Sequence, residues 1–238
     1  MSESAATPLE NTTVVIYMGT FCPQLAACVY RPLARVFEAR GYDVVILAIP
    51  KLGLGHLEDA SDELATKVFL PNPERRYILV GHSQGALHAL HHGKYFSGLV
   101  VAVIAFGAPF HGTRLANLGQ ILSWLPAIRT MAAHSRYLHE LREDQSFTAD
   151  NVYSLFSVMD ELVVPWFAST VSGAHNVVLA PAFLHRLLIR AGLTRSHGIE
   201  LVDGWAEHLG VIWHRALHRY VDGVLDQLES GPHLTLAA

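Results

Sequence analysis

The five residues Gly81-His82-Ser83-Gln84-Gly85 constrain this chain more than any other stretch. Tyr77-Ile78-Leu79-Val80 leads into them as an apolar strand, and Ala86, Leu87, Ala89 and Leu90 follow at helical spacing. A chain that passes from strand to helix this quickly turns so tightly that a Cβ at either flanking position tends to strike neighbouring backbone. Glycine at 81 and 85 removes that obstacle. The turn lifts the Ser83 hydroxyl clear of the sheet and aims the positive end of the next helix at whatever reacts there. The plainer alternative is an ordinary strand-to-helix turn with a capping serine.

The rest of the chain repeats the strand-helix alternation. The run Thr12 to Met18 is β-branched and ends at Gly19. Pro32 fits a first helical position, Leu33, Val36 and Phe37 continue at helical spacing, and Gly41 closes the segment. Val44 to Ile49 is the next apolar run, and Leu57, Ala60, Leu64, Ala65 and Val68 suggest a second amphipathic helix. Leu99 to Phe106, Val152 to Val158 and Asn176 to Leu179 are further strand candidates. The spacing of Trp205, Leu209, Ile212, Ala216, Tyr220, Val224 and Leu228 predicts a long C-terminal helix. Continuous apolar strands separated by helices imply an α/β fold, a mostly parallel sheet with helices on both faces. Ligands in such sheets bind beyond the carboxyl ends of the strands, where Gly19, Gly81, Gly107 and Asp160 fall.

Composition narrows the classes. Of 238 residues 51% are hydrophobic and 16% charged, which suits one large buried core and argues against disorder. With no repeat, low-complexity tract or linker, residues 1–238 read as a single domain. A net charge of -4 makes no case for nucleic acid. The N-terminal residues lack a basic segment followed by an apolar one, and no uncharged apolar run is long enough to span a bilayer. The expectation is a cytoplasmic protein without an integral membrane segment. Cys22 and Cys28 are close enough to bridge, but without an export signal two free thiols are expected.

A serine hydroxyl is a poor nucleophile near neutrality and needs a base that is itself oriented by a carboxylate. After an elbow of this kind the acid comes next along the chain and the histidine last. The chain has fifteen histidines. His88, His91 and His92 lie on the helix after the elbow, and His111 and His134 precede any plausible acid. His208 is the best placed, in a loop after Gly198 to Gly204 and next to Leu209-Gly210; His197 is the alternative. Asp160 follows a strand and precedes Glu161-Leu162-Val163-Val164-Pro165. Glu161 and Asp203 are its alternatives, and a turn-forming Asp is the plainer reading. Negative charge developing on a carbonyl oxygen needs preorganised N–H donors. The N–H of Gln84 is one candidate, and Thr20, in the loop after the first strand, is the other. Phe21, next to Thr20, and His82, next to Ser83, are candidates for substrate contact.

These residues resemble the α/β-hydrolase superfamily, and within it bacterial-type lipases and esterases. The likeness covers nearly the whole chain: Tyr17-Met18-Gly19-Thr20 with Arg31-Pro32-Leu33 and Gly41-Tyr42-Asp43-Val44, the GHSQG elbow, Gly107-Ala108-Pro109-Phe110-His111-Gly112-Thr113, Asp160 with Leu162-Val163-Val164-Pro165, and His208-Leu209-Gly210. The resemblance implies that Ser83, Asp160 and His208 form a catalytic triad and that Thr20 and Gln84 give the oxyanion its N–H groups. Two features depart from the pattern. Met18 stands where many relatives have His, and the stretch Pro181 to His197 is longer than usual and reads as an inserted helix.

The resulting expectation is an α/β-hydrolase fold that cleaves carboxylic esters of small-molecule or lipid type through an acyl-enzyme, with no cofactor and no metal. Acyl transfer and thioester hydrolysis use the same scaffold, and a non-catalytic binding protein of this fold is a more distant alternative. Residues 113–140 read as a lid or cap segment within the domain. Within them Leu118, Ile121, Leu122, Leu125 and Ile128 recur near helical spacing, with Trp124 alongside. Trp124 and Leu125 are the candidates for acyl-chain contact; a core-packed helix is the alternative.

Overall fold

The structure is a computed structural model that describes residues 9–114, 116, 125–143, 149–196 and 198–230. Leu118, Ile121, Leu122, Trp124 and His197, all singled out from the sequence, lie outside the described residues.

Seven strands form one sheet in the order β2-β1-β3-β4-β5-β6-β7. They are β1 (Thr12–Tyr17), β2 (Asp43–Leu47), β3 (Arg76–His82), β4 (Val100–Phe106), β5 (Val152–Ser157), β6 (His175–Ala180) and β7 (Ile199–Asp203). Every neighbouring pair is parallel. The helices are α1 (Arg31–Glu38), α2 (Leu57–Val68), α3 (Gln84–Tyr95), α4 (Pro126–Thr130), α5 (Arg136–Glu143), α6 (Ala182–Arg190), α7 (Leu193–Ser196) and α8 (Arg215–Ser230). The continuous apolar runs have the expected cause, because β1, β4 and β5 are buried along their whole length.

Side chains alternate between two cores. Ile78 and Val80 of β3 join Leu33 and Phe37 of α1 and Leu217 and Val221 of α8 on one face. Tyr77 and Leu79 join Leu57 and Leu64 of α2, Leu87 and Leu90 of α3 and Leu138 of α5 on the other. Arg40 fastens α8 to the end of α1 through Asp222, Asp226 and Glu229, at 2.8 to 3.0 Å. No helix among the described residues is long and apolar enough to cross a membrane.

Two features differ from the expectations. The C-terminal helix begins at Arg215, so Trp205 and Leu209 precede it, and Gly210–Trp213 is a separate 3-10 turn. The backbone at His208 is committed elsewhere, since its carbonyl accepts from His82 and its N–H donates to Glu161. His214, expected inside that helix, stands just before it in extended conformation, and its Nδ1 accepts from the Ala216 N–H. Strand β7 was not expected. It is an edge strand with no buried residue, so its sequence carries no continuous apolar signal.

The chain runs from β1 through α1 to β2 on one side, then crosses back to β3 on the other side of β1. This reversal opens a crevice between the carboxyl ends of β1 and β3. The loop carrying Thr20 and the turn carrying Ser83 meet there.

Candidate active site

Ser83 follows β3 with φ 55° and ψ -124°, a backbone conformation that non-glycine residues rarely adopt. Its N–H donates to the Phe106 carbonyl at 2.8 Å, which ties the strained residue to β4. The flanking glycines are sterically required. A Cβ at Gly81 would lie 2.3 Å from Ala86 Cα, and one at Gly85 would lie 2.3 Å from the Tyr17 carbonyl oxygen. Gln84 is the first residue of α3, where a backbone N–H has no partner within the helix.

Thr20 lies across the crevice from this turn. Its hydroxyl donates to Gln84 Oε1 at 2.6 Å, so the side chains of the two expected oxyanion residues are bonded to each other. With its hydrogen directed at Gln84, Thr20 has its backbone N–H to offer a ligand. Phe21, the next residue, is 62% exposed at the rim.

Asp160 and His208 are both buried and meet through Oδ2 and Nδ1 at 2.8 Å. The other carboxyl oxygen of Asp160 accepts the N–H groups of Leu162 and Val163 at 2.9 and 2.8 Å. A carboxylate can only accept here, so His208 carries its proton on Nδ1 and Nε2 is left as an acceptor. Gly107, with φ 54°, lies beneath the pair. A Cβ there would come within 3.1 Å of Asp160 Oδ2 and 3.2 Å of His208 Nδ1. The alternative acids are otherwise engaged: Glu161 Oε2 accepts the backbone N–H of His208 at 3.0 Å, and Asp203 Oδ1 accepts that of Ala182 at 2.8 Å.

His82 is 4% exposed and its ring is bonded at both nitrogens. Nε2 donates to the His208 carbonyl at 3.1 Å, and Nδ1 pairs with Tyr30 Oη at 2.9 Å. Burial pushes its pKa down to about 3, with the neighbouring His208 adding to the effect. Sequence reasoning missed Tyr30. It lies over fifty residues before His82 and has no motif around it, and only folding brings the two together.

Thr20, Phe21, His82, Ser83 and His208 line one cavity of about 540 Å³. Its lining also includes the apolar side chains of Ala116, Ile128, Met131, Leu162 and Leu209, an apolar wall beside the polar Thr113 and Glu161. Leu125, expected there, is not among the described lining residues; Ile128 and Met131, on and just after α4, occupy that wall. A second cavity, of about 660 Å³ by His111, Phe167 and Gly198, contains none of the residues just described. Among the described residues no group of three or more His, Cys, Asp or Glu could hold a metal ion. Cys22 and Cys28 are free thiols.

The sequence model of the Alpha/beta hydrolase family matches residues 20–233. No curated protein matches the chain by sequence. Among solved structures, Aspergillus fumigatus lipase B superposes with a TM-score of 0.65 at 20% identity, over 95% of this chain and 55% of that one. The chain thus spans about half the length of that lipase. A metagenome-derived lipolytic enzyme from a study of LipS and LipT gives a TM-score of 0.60 at 14% identity, covering 97% of this chain and 100% of that one. The monoacylglycerol lipase of Paleococcus ferrophilus gives 0.56 at 13% identity, over 94% and 96% of the two chains. At these identities the likeness is one of fold.

Proposed function

The chain belongs to the Alpha/beta hydrolase family, and from that premise we propose that it hydrolyses carboxylic esters through a Ser83–His208–Asp160 triad. The observation that carries this reading is the buried contact of His208 Nδ1 with Asp160 Oδ2, with His208 and Ser83 lining one cavity. In this reading His208 Nε2 takes the Ser83 proton as Oγ attacks the ester carbonyl. The N–H groups of Thr20 and Gln84 meet the oxyanion, at the positive end of α3. The carbonyl re-forms, the alkoxide leaves with the proton from His208, and an acyl-Ser83 ester remains. Water, deprotonated by His208, attacks that ester and releases the acid and free Ser83. Asp160 holds the ring in its tautomer and balances its positive charge in the transition state.

The apolar wall suits the acyl part of a small-molecule or lipid ester. We propose that the described part of residues 113–140 forms this wall, and that Phe21 and His82 contribute to the floor and rim. The test is a p-nitrophenyl ester chain-length series together with a fluorophosphonate adduct mapped by mass spectrometry. Turnover is expected with the adduct on Ser83. A folded Ser83→Ala protein that still turns over esters near the wild-type rate overturns the proposal.

A further inference from the structure

Packing explains helix α6 less well than any other helix of comparable length. Only Leu188 of its nine residues is buried. Phe183, Leu187 and Ile189 are 79%, 61% and 57% exposed. A helix this short is not stable alone in water. It is held at its start, where Asp203 Oδ1 accepts the Ala182 N–H and His185 Nε2 donates to the Ala180 carbonyl at 2.8 Å.

The outward face has two stripes. Successive helical residues are about 100° apart, so Phe183 and Leu187 form one row and Arg186 and Arg190 form the row beside it. All four are exposed. From Pro181 to Ser196 the sequence holds Arg186, Arg190 and Arg195 and no acidic residue, within a chain of net charge -4. Among the described residues no salt bridge involves any of these arginines.

The combination selects the partner. A second copy docking about a two-fold axis perpendicular to the helix would set arginine row against arginine row, and like charges oppose that contact; about an axis along the helix, each arginine row would lie on the partner's apolar row and be buried without an anion. An anionic lipid surface satisfies both rows together. Phenylalanine and leucine enter the acyl boundary, while the arginine stems reach up to the phosphates. We infer that α6 is a peripheral docking surface for an anionic lipid bilayer. It starts at the carboxyl edge of the sheet, where the Ser83 cavity lies. Trp205, two residues beyond Asp203, is 62% exposed near the same edge.

The inference does not depend on catalysis, so the full chain carrying Ser83→Ala serves as the test protein alongside wild type. Co-sedimentation is measured with vesicles of 3:1 phosphatidylcholine:phosphatidylglycerol and with pure phosphatidylcholine, at low salt and at 0.5 M NaCl. Both proteins are expected to bind the anionic vesicles, to prefer them over the neutral ones, and to release in high salt. The double variant Arg186→Gln/Arg190→Gln should bind about 30-fold more weakly, roughly fivefold per charge. Phe183→Ser/Leu187→Ser should also weaken binding, and because these side chains are exposed, both variants should keep the wild-type Tm. Three results overturn the inference: no binding to the anionic vesicles, binding indifferent to headgroup charge, or a concentration-dependent dimer in sedimentation velocity that Phe183→Ser/Leu187→Ser abolishes while vesicle binding is absent. Vesicle binding by a chain inactive on every ester would reject the hydrolase reading alone.

Discussion

His82 Nε2 donates to the backbone carbonyl of His208 at 3.1 Å, so the residue just before Ser83 holds the loop that carries the proposed base. The proton positions follow from this bond. With Nε2 donating, Nδ1 must accept, and the Tyr30 hydroxyl donates to it. Tyr30 Oη in turn accepts the Gly19 N–H at 2.8 Å. One buried chain thus links the loop before Thr20, the elbow and the histidine loop. His82→Phe breaks the chain and leaves the Tyr30 hydroxyl and the His208 carbonyl without this partner. It should cost about 1–3 kcal/mol of stability, read by urea unfolding. A variant as stable as wild type would mean that the link carries no weight.

Three buried histidines should make stability fall on mild acidification. Burial, acting first in each case, lowers His82 and His88 to about 3 and His92 to about 4. An unfolded histidine takes up a proton near pH 6.5, while these native ones stay neutral to far lower pH. Below about 6.5 the unfolded state therefore binds more protons, and stability drops as pH falls toward 4. The limit is about 1.4 kcal/mol per pH unit for each group. Above pH 7 these groups contribute no slope. Calorimetry at pH 7.5, 6 and 5 tests this, and an unchanged Tm would show that the three rings accept protons in the native state.

Asp160→Asn removes the acceptor that sets the His208 tautomer and leaves the side-chain size almost unchanged. The kcat for an activated ester should drop on the order of 10⁴-fold, with KM much less affected. Glu161→Gln still accepts the His208 N–H and should lose far less. Equal losses in the two variants would reverse their proposed roles.

Thr20→Val keeps the backbone N–H but deletes the hydroxyl that donates to Gln84. The loss should be that of one neutral hydrogen bond positioning the loop, about 1 kcal/mol or fivefold in kcat/KM. A loss of several hundredfold would mean instead that the hydroxyl itself meets the oxyanion.

Ile128 and Met131 line the apolar wall of the Ser83 cavity. If that wall receives the acyl chain, Ile128→Ala and Met131→Ala should shift kcat/KM between short and medium p-nitrophenyl esters, by about 0.8 kcal/mol for each methylene that loses its contact. An unchanged chain-length profile in both variants would place the acyl chain elsewhere.

The sequence by itself determined whatever rests on neighbouring residues. The elbow was legible because its sterics are local: two glycines, an apolar strand before and a helix after. The buried strands were legible because strands covered on both faces read as unbroken apolar runs. Tertiary structure decided the rest. Edge strand β7 buries none of its residues and so leaves no such run. The spacing from Trp205 to Ala216 fits a helix, yet there the backbone of His208 is claimed by His82 and Glu161, and the helix waits until Arg215. Asp160, Glu161 and Asp203 are chemically equivalent choices along the chain. They separate only in space, where one meets the His208 ring, one its backbone and one the start of α6. Tyr30 acts across the fold with no local motif to announce it, because a bond between residues 52 positions apart is a property of the packed sheet and not of either segment.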